Sequence, residues 1–161
     1  MKIKIKDVDY EIPLSWSDLT YNQAVAAISE KIELVDKINI LTSIPIAEIE
    51  KTSIRDVDTL LNYLSFINDQ EIFDSKEPSD LTANFDFGSL TYGVSEKVKK
   101  LFSNEDKTVY EVMPDVFEVM FNVDIRQKTF TDVIGDINNF FFRSMFFMRP
   151  TKNFTKKAKI V

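Results

Sequence analysis

Ser53-Ile54-Arg55-Asp56-Val57-Asp58-Thr59-Leu60-Leu61-Asn62-Tyr63-Leu64-Ser65-Phe66-Ile67 returns an apolar side chain every three or four residues, with Val57, Leu60, Leu61, Leu64 and Ile67 on one stripe. Ser53, with Asp56 three residues on, offers a cap for the first amide groups. The stretch predicts an amphipathic helix. Similar patterns on either side set the fold class as α+β, mostly α: an N-terminal β-hairpin, then a helical body of about six helices.

Upstream, Ile3 and Ile5 alternate with Lys2, Lys4 and Lys6, and Tyr10 and Ile12 flank Glu11 beyond the turn-prone Asp7-Val8-Asp9. This period of two predicts a hairpin over residues 2–13, closed by Pro13. Thr20 with Gln23 forms a capping-box pattern ahead of Tyr21, Val25, Ile28 and Ile32, which predicts a helix over 21–32. Val35, Ile38 and Leu41 predict a short helix over 36–42, stopped at Ile44-Pro45, with a further turn over 47–51. Trp16, the sole tryptophan, lies one turn ahead of the first cap and reads as a staple between hairpin and helix.

Downstream, residues 69–84 turn polar and acidic, and Asp74 to Asp80 carries no periodic apolar pattern, which predicts a mobile connector. The chain reads as a single domain that this connector can divide into subdomains 1–68 and 85–150, with a basic tail at 151–161. Phe85 and Phe87 alternate across Asp86, and Gly88 and Gly93 bracket Ser89-Leu90-Thr91-Tyr92, which predicts a second short hairpin at 85–93. Ser95 then reads as the cap of a helix carrying Val98, Leu101 and Phe102. Leu19-Thr20-Tyr21 is echoed by Leu90-Thr91-Tyr92, although three residues do not establish a duplication. Pro114 suits the first position of a helix through Val116, Phe117, Met120 and Phe121, and a last helix runs from about Thr131 to Met148, stopped by Arg149-Pro150.

The 161 residues contain neither cysteine nor histidine. That removes disulfides, zinc and haem sites built on those ligands, cysteine nucleophiles and any serine–histidine triad. Three glycines, Gly88, Gly93 and Gly135, form no phosphate-cradling loop. No cofactor is implied, and the chain reads as a non-enzyme. Its first residues lack the apolar stretch of a signal peptide, and no run approaches the roughly 20 apolar residues of a membrane span. The net charge of −6, with +4 in residues 151–161, leaves −10 on residues 1–150, which argues against nucleic acid as the main partner.

The pairs Asp7 with Asp9 and Asp56 with Asp58 read as surface or capping residues, because a divalent cation needs several convergent ligands. Lys152, Lys156, Lys157 and Lys159 read as a solvated end, and the sequon Asn153-Phe154-Thr155 carries no weight without a secretion signal. The most unusual segment is Phe140-Phe141-Phe142-Arg143-Ser144-Met145-Phe146-Phe147-Met148, with seven apolar residues in nine. A helix apolar on every side must be buried all round or keep a face for a partner. Both readings stand, and the candidate partner interface is Phe140, Phe142, Phe146, Phe147 and Met148, with the hairpin edges second.

At Pro13-Leu14-Ser15-Trp16-Ser17-Asp18-Leu19-Thr20-Tyr21-Asn22-Gln23 the chain resembles small acidic proteins of tailed bacteriophages, tail assembly chaperones and virion accessory proteins. Leu41-Thr42-Ser43-Ile44-Pro45, Phe87 to Gly93 and the phenylalanine cluster add to the resemblance. It implies a tail assembly factor working by protein–protein contact in the host cytoplasm, as an oligomer or part of a larger assembly, with phage tail or other virion proteins as partners. A chaperone of this kind covers apolar helical segments of a tape-measure protein until tube subunits replace it. The alternative is a small component of the mature virion, in a head–tail connector or tail ring. An acidic mimic of DNA that inhibits a host enzyme, and a metal-dependent hydrolase built on Asp and Glu, rank lower.

Overall fold

The computed structural model describes residues 1–5, 7–69, 71–73 and 77–147, without the side chains of Glu71, Met145, Phe146 and Phe147. The fold is mostly helical with one N-terminal antiparallel hairpin, and eight α-helices occur among the described residues, two of them single turns. The chain forms two compact units, residues 1–74 with 129–131 and residues 75–128 with 132 onward.

In the first unit, β1 (Lys2–Ile5) pairs with β2 (Val8–Glu11), Ile3 opposite Tyr10 and Lys4 opposite Asp9. Asp7 turns the chain with a φ of 66°, the left-handed region that Asp tolerates better than most side chains. A 3-10 turn at Trp16–Asp18 follows, and Leu19 and Thr20 run extended into α1 (Tyr21–Ile28). Thr20 and Gln23 close the expected capping box.

α1 stops four residues short of the expected Ile32. The Ser29 hydroxyl accepts the Lys31 N–H at 3.3 Å, a local turn that competes with the helix. α2 (Leu34–Thr42) ends at Ser43 in the left-handed region, α3 (Ile46–Ile49) follows Pro45, and α4 (Ile54–Tyr63) tightens into a 3-10 turn over Leu64–Asn68. The predicted stripe is the inward face here, with Leu60 and Leu64 buried.

Trp16 is the hub of this unit. Its ring lies 5.7 Å from those of Phe66 and Phe73 and 5.3 Å from that of Phe130, and its Nε1–H donates to the Asp69 carbonyl at 3.2 Å. Its structural role is as read from the sequence, but its partners are distant aromatics. Thr129 pairs with Thr20 as an isolated antiparallel bridge, and the Phe130 N–H donates to the Leu19 carbonyl at 2.9 Å.

In the second unit, part of the expected connector is ordered secondary structure. Ser79 caps α5 (Asp80–Ala83), and Thr82 is fully buried. The predicted hairpin at 85–93 is replaced by a 3-10 turn at Phe87–Ser89, because the Asp86 carboxylate accepts the Gly88 N–H at 2.9 Å and curls the chain. Phe85 and Phe87 do not alternate across a sheet; their rings meet edge-on at 5.1 Å, and Phe85 packs on Phe121.

Thr91, not Ser95, caps α6 (Tyr92–Phe102). α7 (Val109–Phe121) begins five residues before Pro114, since the Thr108–Glu111 capping box fixes the start and the buried proline is carried inside the helix. Asn122, at φ 54°, ends it. Arg126 pairs with Asp115, Glu118 and Asp124, tying the following loop back to α7. α8 (Phe130–Phe147) starts one residue before the expected Thr131. The expected stop at Arg149-Pro150, Met148 and the basic segment 151–161 lie outside the described residues.

Candidate functional site

The phenylalanine-rich end of α8 is where the two readings of the sequence divide. Val133, Ile134, Ile137 and Phe140 recur at three- and four-residue spacing, and all four are buried in the second unit. Phe140 is fully buried and lies 5.8 Å from the ring of Phe87 and 6.2 Å from that of Phe102. It is core, which corrects its expected place in an interface. Phe142 lies on the other side of the helix and is 63% exposed. The side chains of Phe146 and Phe147, and all of Met148, lie outside the described residues.

Two polar side chains, Asp136 and Arg143, tie this helix to α5 and its cap. Asp136, nearly fully buried, accepts from the Ser79 N–H and hydroxyl at 2.9 and 2.7 Å and from the Thr82 hydroxyl at 2.6 Å. Arg143 reaches over the Phe87 ring, 5.1 Å from its centroid, and donates to the carbonyls of Thr82 and Ala83 at the end of α5. Asn139 carries the one buried side-chain atom, among those described, that lacks a hydrogen-bond partner: its Nδ2. It sits one turn before Phe142, and a buried amide left unsatisfied is costly.

The surface around Phe142 thus offers an apolar ring, while the unpaired Asn139 Nδ2, one turn back along the helix, is buried. Burying a phenylalanine in a partner stabilises by roughly 2 to 3 kcal/mol. Asp136 and Asn139 were missed by sequence reasoning. The signal for Asp136 was available, since it interrupts the apolar run Val133-Ile134-Gly135-Asp136-Ile137.

Elsewhere, Val8 at the hairpin is half exposed, and the strand edges carry the ion pair Lys2–Glu11 at 3.7 Å. Asp7 pairs with Lys4 at 3.1 Å, and Asp56 closes on the cap residue Ser53, so these carboxylates serve turns and caps. A cavity of about 340 Å³ beside α6 and α7 is lined by Val112 and Val119 together with Lys97, Lys100 and Lys107. Among the described residues no three acidic side chains converge as a metal site would require. Nor is any described helix long and apolar enough to cross a membrane.

Two carboxylates are held below the usual range by backbone amides. Asp18 accepts the N–H of Leu14 and, with Ser15, forms the start of the first 3-10 turn. Asp124 accepts the N–H of Arg126 and its guanidinium. The hydrogen bond that the Lys99 ammonium donates to the Glu96 carboxylate raises the lysine above its ordinary value. These groups stabilise local turns and one helix surface.

No protein family, curated protein or solved structure matches this chain.

Proposed function

We propose that this protein assembles tails of a bacteriophage by protein–protein contact, as a chaperone-like factor that holds an apolar helical segment of another tail protein. The observation that carries the reading is Phe142, 63% exposed on a helix whose opposite face is core. An exposed apolar ring suits a helical segment that contributes an apolar side chain. The resemblance of residues 13–23 to tail assembly proteins supplies the biological setting.

The test is affinity purification of the tagged full chain from infected cells, with bound proteins identified by mass spectrometry. Recovery of a tape-measure or tail-tube protein, reduced at least tenfold by Phe142→Ser, is expected. A wild-type protein that brings down no tail protein would overturn the reading. The alternative, a small component of the finished virion, is favoured instead if the chain appears in purified particles at a fixed copy number.

A further inference from the structure

α6 and α7 share a groove whose charge runs against that of the chain around it. α6 contributes Lys97, Lys100, Leu101 and, just past its end, Asn104, which recur at helical spacing and so form one stripe. α7 contributes Val112, Asp115 and Val119, again one stripe, and Lys107 joins from the connecting loop. Together they line a space of about 340 Å³. Val112 is buried and Leu101 and Val119 are half-buried, whereas Lys97, Lys100 and Lys107 are exposed. Apolar lining is thus combined with cations that solvent reaches.

The chain carries a net charge of −6, yet this lining holds three lysines against a single acid among the described residues. That acid is already engaged: Asp115 pairs with Arg126 at 2.5 Å and with Lys107 at 3.6 Å. The other acids of the two helices are engaged too, Glu96 with Lys99, Glu111 in the cap of α7 and Glu118 with Arg126. Among the described residues neither Lys97 nor Lys100 has an ion-pair partner. Two ammonium groups one helical turn apart therefore stand beside apolar surface, open to carboxylates from outside.

The length of the groove selects its occupant. Each stripe covers a separation of seven residues, Lys97 to Asn104 and Val112 to Val119, about 10 Å or two helical turns. A small amphiphilic anion is held by burial of most of its surface, which a lining with three exposed lysines does not provide. A helix laid along the groove presents an apolar ridge of the same two-turn length with acids beside it. We infer that this groove binds an acidic amphipathic helix of a partner protein, its apolar ridge against Leu101, Val112 and Val119 and its carboxylates on Lys97 and Lys100. Exposed ion pairs add little affinity, so the apolar contacts hold the helix and the lysines select an acidic one over a basic one.

The test pans a yeast-displayed library of random peptides against the purified full chain, then measures the enriched peptides, synthesised, by fluorescence anisotropy. Expected are sequences with apolar residues three and four apart and Asp or Glu between them. They should bind at least tenfold more weakly to Lys97→Glu/Lys100→Glu than to wild type, and more weakly at high salt. Lys128→Glu, at an exposed lysine outside the lining, should bind as wild type does. These variants alter exposed side chains and keep the fold, checked by circular dichroism. Enrichment without acidic residues, binding that the double variant leaves unchanged, or an equal loss in Lys128→Glu would each overturn the inference. So would dodecanoate shifting the Val112 and Val119 NMR signals while no peptide is enriched. No tail protein enters the test, so the inference and the proposed function fail separately.

Discussion

Ser79 donates both its backbone N–H and its hydroxyl to the carboxylate of Asp136, 57 residues further along the chain. With Thr82 as the third donor, a single buried acid on α8 organises the first turn of α5. Hydrogen bonds to a charged group contribute about 1.5 to 3 kcal/mol each, and removing the acceptor leaves buried donors unpaired. Asp136→Ala is therefore expected to destabilise the protein by about 3 kcal/mol in urea unfolding, and Asp136→Asn, which keeps one acceptor oxygen, by about half of that. Loss of less than 1 kcal/mol in the alanine variant would show that the acid is not what holds this segment.

Phe140 and Phe142 are two residues apart and should behave oppositely. Truncating a fully buried phenylalanine typically costs 3 to 5 kcal/mol, whereas an exposed one changes stability by no more than about 0.5 kcal/mol. Thermal unfolding of Phe140→Ala and Phe142→Ala checks this. A large loss in Phe142→Ala would mean that its ring serves the fold, and the candidate interaction surface would have to be abandoned.

Much of the fold was legible in the sequence, and the misses have physical causes. The hairpin and the long helices follow from periods of 2 and 3.6 that dictate which faces are buried, and six of the eight α-helices among the described residues have eight or more residues, in line with the expected body. The second hairpin was misread because the alternation Phe85-Asp86-Phe87 also suits a chain curled by an Asp side chain, and composition alone does not separate the two. Pro114 was read as a start because local rules outrank distant ones on paper; in the folded chain the Thr108–Glu111 box sets the boundary at Val109, five residues earlier. The candidate surface was half legible. Spacing identified the phenylalanine cluster, but which rings face the core depends on contacts with Phe87 and Phe102 that no periodicity reveals.

Ser43 ends α2 with φ 59° while its N–H donates to the Asn39 carbonyl at 2.7 Å. That is the left-handed cap position that glycine fills without a steric penalty. Ser43→Gly is expected to stabilise by about 0.5 to 1 kcal/mol, and a β-branched Ser43→Val to destabilise by about 1 kcal/mol or more. Urea midpoints of the two variants should move in opposite directions. A glycine variant weaker than wild type would mean that the Ser43 side chain makes a contribution beyond its backbone.

The final prediction joins Asp18 to Trp16, which stand two residues apart in the same 3-10 turn. The N–H of Leu14, at 2.9 Å, holds the Asp18 carboxyl below its ordinary value of 3.8, with further support from Ser15. A carboxylate whose folded value is depressed contributes stability that is fully present above its unfolded value and is lost as pH falls through the folded one. The window for this loss therefore opens below about pH 4. Trp16, the sole tryptophan and buried among Phe66, Phe73 and Phe130, reports the unfolding of its surroundings by fluorescence. Urea titrations followed at Trp16 should show wild type more stable than Asp18→Asn at pH 6, with the difference shrinking steadily between pH 4 and pH 2. A difference that stays constant across that range would mean that the ionised form of Asp18 adds nothing to the turn.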